Sequence, residues 1–198
     1  MRIVKVKKTI FFLLMIVIMA VVSGCVRYPG EPGHEPGETN YQLKITVEVA
    51  GEINTNTDEG IYYIVFDADN DSTDGPEGDL NLWGDYYYIK LENGFFYFVQ
   101  VKDGVESTLN GGSFSFDGNQ LQATIALSDL GDPKSIDIID INVVTTDSDN
   151  STYDSLDNYF SISTDLGSSE DIPDSEGDSG DGGADFDLVK VTAEITIY

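Results

Sequence analysis

Apolar and polar residues alternate with a period of two at both ends of the region that can fold. Over residues 41–52, Leu43, Ile45, Val47 and Val49 face one way, and Gln42, Lys44, Thr46 and Glu48 the other. At the C-terminus Val189, Val191, Ala193, Ile195 and Ile197 alternate with Lys190, Thr192, Glu194 and Thr196. This pattern gives a strand one dry and one wet face, as in antiparallel sheets with one side in water. Between the two ends, residues 61–68, 86–91, 95–102, 113–116, 121–127 and 136–146 are short, rich in Ile, Val, Phe, Tyr and Thr, and punctuated by Gly, Asn and Asp. No stretch from Tyr41 onward has a 3.6-residue period, and residues 129–131 suggest at most one helical turn. Eight or more short strands predict an all-β antiparallel β-sandwich over 41–198.

One hairpin can be registered in advance. Asn93-Gly94 is a strong two-residue turn signal, and it pairs Glu92 with Phe95, Leu91 with Phe96, Lys90 with Tyr97, Ile89 with Phe98 and Tyr88 with Val99. Tyr87, Ile89, Leu91, Phe96 and Phe98 then face the core. The other side carries Tyr86, Tyr88, Lys90, Glu92, Phe95, Tyr97 and Val99, with Trp83 just upstream. Sugar rings stack on aromatic faces while their hydroxyls need polar partners. Trp83, Tyr86, Tyr88, Lys90 and Tyr97 are therefore the candidate ligand-binding residues. The competing reading is that these aromatics are cross-strand pairs that stabilise the sheet.

The N-terminus reads as an address. A basic stretch, Arg2 to Lys8, precedes an apolar run over residues 9–22 that is shorter than the ~20 residues a membrane span needs. It ends in Val22-Ser23-Gly24-Cys25, which resembles the lipobox of bacterial-type lipoproteins. The reading is a signal peptide at 1–24 and lipidation of Cys25. Cys25 is the only cysteine, so an intrachain disulfide and a thiolate metal site are both excluded. Residues 25–40 hold three Pro-Gly pairs and the only histidine, His34. They read as a flexible tether able to reach up to ~45 Å from the lipid at ~3.1 Å per residue. The expected location is outside the cell, anchored by lipid to the outer side of the cell membrane or to another envelope membrane.

Charge narrows the partners. The chain has 10 basic and 36 acidic residues, and four of the basic ones lie in the first eight positions. From Cys25 onward the formal charge is −30, which argues against nucleic acid as a partner. The acids cluster in three places. Asp67, Asp69, Asp71 and Asp74 stand at a spacing that repels unless a cation lies between them, and hard oxygen ligands of this kind suit Ca²⁺. The loop is not an EF-hand, since Ser72 and Gly78 occupy the sixth and twelfth positions. Asp147, Asp149, Asp154 and Asp157 form a second candidate metal set. A third acidic stretch, 168–187, lies among Gly and Ser and suggests an insertion at about 166–184. Solvated acidic loops are the alternative for all three.

Four blocks carry a family resemblance: Tyr63-Ile64-Val65-Phe66-Asp67-Ala68-Asp69-Asn70-Asp71; Asp85-Tyr86-Tyr87-Tyr88-Ile89-Lys90-Leu91; Gly118-Asn119-Gln120-Leu121 through Leu130-Gly131; and Val143-Val144-Thr145-Thr146-Asp147 with Asp154-Ser155-Leu156-Asp157. In order and spacing, over about residues 41–165, they resemble the DOMON / family 9 carbohydrate-binding-module-like superfamily. The resemblance implies a jelly-roll-like β-sandwich that binds sugar, haem or calcium, or serves as an accessory domain. Haem-binding members use Met and His ligands; here every Met precedes Cys25 and the one His lies in the tether, so no haem is expected. Sugar-binding members clamp their ligand between aromatics, and Trp83 is the only Trp here.

Catalysis is not expected. A nucleophilic triad needs a base such as His, and the folding region has none. A carboxylate acid catalyst needs a desolvated site, whereas these acids sit in hydrophilic loops. The sequence therefore points to a surface-anchored lipoprotein carrying a carbohydrate-binding-like, calcium-stabilised β-sandwich. The alternative is a structural or protein-interaction lipoprotein of the cell envelope. The expected partners are the membrane, through the lipid on Cys25, and a polysaccharide or an envelope protein.

Overall fold

The computed structural model describes residues 40–56, 58–71, 73–131, 136–174 and 182–197. The signal segment, Cys25 and the tether up to residue 39 lie outside the described residues. The described strands are β1 (Tyr41–Val49), β2 (Ile61–Asp67), β3 (Tyr87–Glu92), β4 (Phe95–Lys102), β5 (Val105–Thr108), β6 (Ser113–Asp117), β7 (Gln120–Ala126), β8 (Ile138–Thr146), β9 (Thr152–Ser155), β10 (Phe160–Ser163), β11 (Ser169–Pro173) and β12 (Leu188–Ile197). They form two antiparallel sheets packed face to face, a β-sandwich. The first sheet runs β11-β12-β1-β7-β6; the second runs β10-β8-β2-β3-β4-β5, with β9 also paired to β8. The single turn expected at residues 129–131 is a 3₁₀ turn over Leu127–Leu130. Ser169–Pro173, inside the acidic insertion expected at about 166–184, form β11 against β12.

The core lies between the sheets. Leu43, Ile45, Val47 and Val49 of β1 meet Ile64 and Phe66 of β2 and Ile139, Ile141 and Val143 of β8. The Asn93-Gly94 hairpin has the register that its turn dictates, from Glu92↔Phe95 to Tyr88↔Val99. Both turn residues have positive φ (52° and 75°), the combination a type I′ turn requires.

β12 departs from strict alternation. Its pairing with β1 steps from Glu48↔Lys190 to Val49↔Leu188, so Val189 is skipped. This β-bulge reverses the parity of the strand's start. Leu188 is 2% exposed and takes the core position, while Val189 is 40% exposed. The Leu188 N–H donates to the Asp154 carboxylate at 2.7 Å, which anchors β12 at the bulge.

The second sheet is buried on both faces at its centre, and every residue of β2 is buried. Residues 76–86, with a 3₁₀ turn at Leu80–Leu82, lie over the outer face. There Ile61, Tyr63, Val65, Tyr88, Val99 and Val144 form a second apolar cluster, against which Leu80, Trp83 and Tyr86 pack. Asn142 of β8, also buried, holds this segment down by donating from its side chain to the Pro76 carbonyl at 2.9 Å.

Candidate functional site

Asp67 ends β2, where the strand leaves the sheet, and is itself buried, 5% exposed. The next residues turn through a series of side-chain caps. The Asp69 N–H donates to Asp67 Oδ1 (3.1 Å), the Asp71 N–H to Asp69 Oδ1 (2.7 Å), and the Thr73 N–H to Asp71 Oδ1 (3.1 Å). The two-residue spacing of the carboxylates is thus an Asx-turn ladder. Asp74 closes it: its carbonyl accepts from the Tyr86 hydroxyl at 2.8 Å. Carboxylate oxygens of Asp67, Asp69 and Asp74 lie within 4.8 Å of one another. Asp71, the fourth expected ligand, instead accepts from the Thr73 hydroxyl at 2.6 Å, and that bond holds its pKa below the usual carboxylate value.

Burial, reinforced by the Asp69 charge, pushes the Asp67 carboxyl up to about 6. Burial also raises Asp74, with Asp69 and Asp71 adding repulsion. Asp140 of β8 lies directly across from Asp67 in the β2–β8 register. It is buried, accepts a hydrogen bond from the Ser161 hydroxyl and is raised as well, first by burial. Of the three clustered carboxylates Asp67 is buried and Asp69 and Asp74 are exposed; convergent carboxylates are donors for a hard cation, which takes six to eight oxygens. The three convergent residues fit such an ion. An open depression of about 220 Å³ adjoins them, bounded by Asp67, Asp69, Tyr87, Gln100 and Leu130 among others.

The second expected set is split by the fold. Asp147 caps the β8–β9 turn, accepting from the N–H groups of Asp149 (2.8 Å) and Ser151 (2.7 Å). Asp149 and Asp157 are exposed in the loops that flank β9. Asp154 alone joins a cluster, with Asp174 and Asp187 within the same 4.8 Å limit. Burial raises the Asp154 carboxyl to about 6, against hydrogen bonds from the Leu188 and Ser155 N–H groups. This cluster joins β9 to the two segments that flank the 175–181 stretch, so it draws on the second and third acidic regions together.

The aromatic residues are largely used internally. Trp83 packs on Tyr63 and Tyr88 with centroids at 5.5 and 5.9 Å. Its indole N–H donates to the Glu77 carbonyl at 2.8 Å. The Tyr88 hydroxyl donates to Glu106 at 3.0 Å, and Tyr86 is tied to Asp74 as above. Burial raises the pKa of both tyrosines, that of Tyr86 to about 12. Lys90 pairs with Glu92 at 2.8 Å and lies 5.3 Å from the Tyr97 ring centroid. Tyr97 (39% exposed) and Phe95 (66%) remain at the surface.

Sequence reading missed Asp140, and it set Asp174 and Asp187 in the third acidic stretch rather than beside Asp154. Asp140 had a signal, a lone acid within the apolar run of β8. Asp174 and Asp187 had none beyond their acidic surroundings. No family model matches this chain, and neither a curated protein nor a solved structure is significantly similar to it.

Proposed function

We propose that this chain is an exported, lipid-anchored, non-catalytic interaction module of the cell envelope whose β-sandwich is braced by calcium. One observation carries the calcium reading: three carboxylates converge within 4.8 Å at the end of a fully buried strand. The anchoring rests on the Val22-Ser23-Gly24-Cys25 sequence after the apolar run. The interaction reading is favoured over sugar binding because Trp83, Tyr86 and Tyr88 spend their polar groups inside the domain. Lys90 beside the exposed Tyr97 ring supports the second reading, a weak sugar contact at the hairpin end and one in keeping with the family resemblance. Calorimetric titration with CaCl₂ tests the central claim. Saturable binding that Asp67→Asn abolishes is the expected result; no heat of binding to the wild type contradicts it.

A further inference from the structure

The side of the sandwich where β6 ends the first sheet exposes both backbone and aromatic surface. Among the described residues β6 is the outermost strand of its sheet. Its pairing with β7 closes at Asp117↔Gln120 around a two-residue turn, with Phe116↔Leu121 next. Hydrogen-bonded and non-hydrogen-bonded pairs alternate along an antiparallel ladder. The pair closing a two-residue turn is hydrogen-bonded, so the N–H and C=O of Phe114 and Phe116 point away from β7, along the open edge. Natural edges are usually blunted by Lys, Pro or a bulge, yet β6 reads Ser-Phe-Ser-Phe-Asp.

The aromatics of this edge cross to the second sheet. Phe96 of β4 lies 5.5 Å from Phe114 and 6.2 Å from Phe116, centroid to centroid. β5 pairs only with Val99–Lys102, the far half of β4, so the Phe95–Tyr97 half lacks that cover. Phe116, on the same side as Phe96, is 40% exposed. Carboxylates border this surface: Asp117 follows Phe116, and Asp129 approaches Gly111 just before β6. Lys90 is held in its ion pair with Glu92, and Lys44 lies on β1, two strands in from the edge.

We infer that β6 is a docking edge for an extended, basic segment of a partner protein, which adds as a strand beside Phe114 and Phe116 and sets its apolar side chains on Phe96 and Phe116. Strand addition draws affinity from main-chain bonds and specificity from alternate side chains. Charge selects the occupant. A second copy of this chain, from Cys25 onward, would bring a formal −30 against −30, whereas lysines alternating with apolar residues complement the acidic border. The inference rests on the interaction reading above and needs neither the cation nor sugar binding.

The test uses the full-length protein in detergent, in EDTA and again with CaCl₂, titrated with a fluorescent seven-residue peptide of alternating lysine and valine. The expected result is saturable binding in both buffers that weakens at least tenfold between 50 and 500 mM NaCl. An alternating glutamate–valine peptide should not bind. Phe116→Pro, which removes an outward N–H without touching the β7 ladder, should weaken binding at least tenfold and well beyond Phe116→Ala. If Phe116→Pro fails to fold, Phe116→Lys keeps the backbone and repels the peptide. Equal affinity in the folded edge variants overturns the inference, as does equal binding of the acidic peptide. Sedimentation showing a dimer that these variants dissociate would overturn it in favour of a second copy.

Discussion

A carboxylate removed from water without a cation beside it holds its proton more tightly than in the unfolded chain. Asp67 and Asp154 are both pushed up to about 6 from an ordinary 3.8, chiefly by burial. The sign follows from linkage: the folded state binds more protons, so metal-free stability rises as pH falls through 6, and the gain is complete below the unfolded value. Asp71 and Asp171 are shifted the other way by hydrogen bonds, but both are exposed and solvent screens their contribution. In EDTA the melting temperature should therefore be higher at pH 5.5 than at 7.5, and Asp67→Asn should flatten that slope. A wild-type melting temperature that falls on acidification would contradict this. Asp67 was legible in the sequence because Asp67, Asp69 and Asp71 are acidic at alternate positions, with Asp74 close behind. Asp140 was not, because it reads as a lone acid in a largely apolar strand and only the β2–β8 register sets it beside Asp67.

At the scale of the elements, alternation and turn chemistry carry far, and fail where tertiary contacts reset the count. The Asn93-Gly94 turn fixed the β3–β4 register because its backbone geometry leaves one way to pair. β5, β9 and β10 carry only four residues each, too few to establish a period. In β12 the bulge held by Asp154 places Leu188 inside and Val189 outside, contrary to simple alternation. Leu188→Ala should cost about 2–5 kcal/mol, the usual range for a buried leucine. Val189→Ala should stay within about 0.5 kcal/mol, as surface substitutions do. Urea denaturation of the two variants checks this; a larger loss for Val189→Ala would place the bulge elsewhere. The covered outer face of the second sheet was half legible. The hairpin set Tyr88 on one face with Lys90 and Tyr97, but no pattern of letters signals that Trp83 packs onto Tyr63.

At the scale of the whole molecule, the proposed lipid anchor and the strongly acidic domain can be tested separately. Mass spectrometry of protein extracted from membranes should find diacylglycerol on an N-terminal Cys25, and Cys25→Ser should release the chain from the membrane fraction. Retention of that variant with membranes would contradict the anchor. Within the domain, the two carboxylate clusters lie at loop junctions: one where β2 leaves the second sheet, the other where β9 meets the segments next to β11 and β12. A cation at either would relieve repulsion in the folded chain alone, and a ligand that binds only the folded state raises the melting temperature by mass action. The most direct measurement is the melting temperature at pH 7.5 and low salt, in EDTA and in graded CaCl₂, for the wild type and Asp67→Asn. The account predicts a saturable rise with calcium in the wild type, larger than with matched MgCl₂ and much reduced in the variant. Superimposable wild-type melts with and without calcium would contradict it.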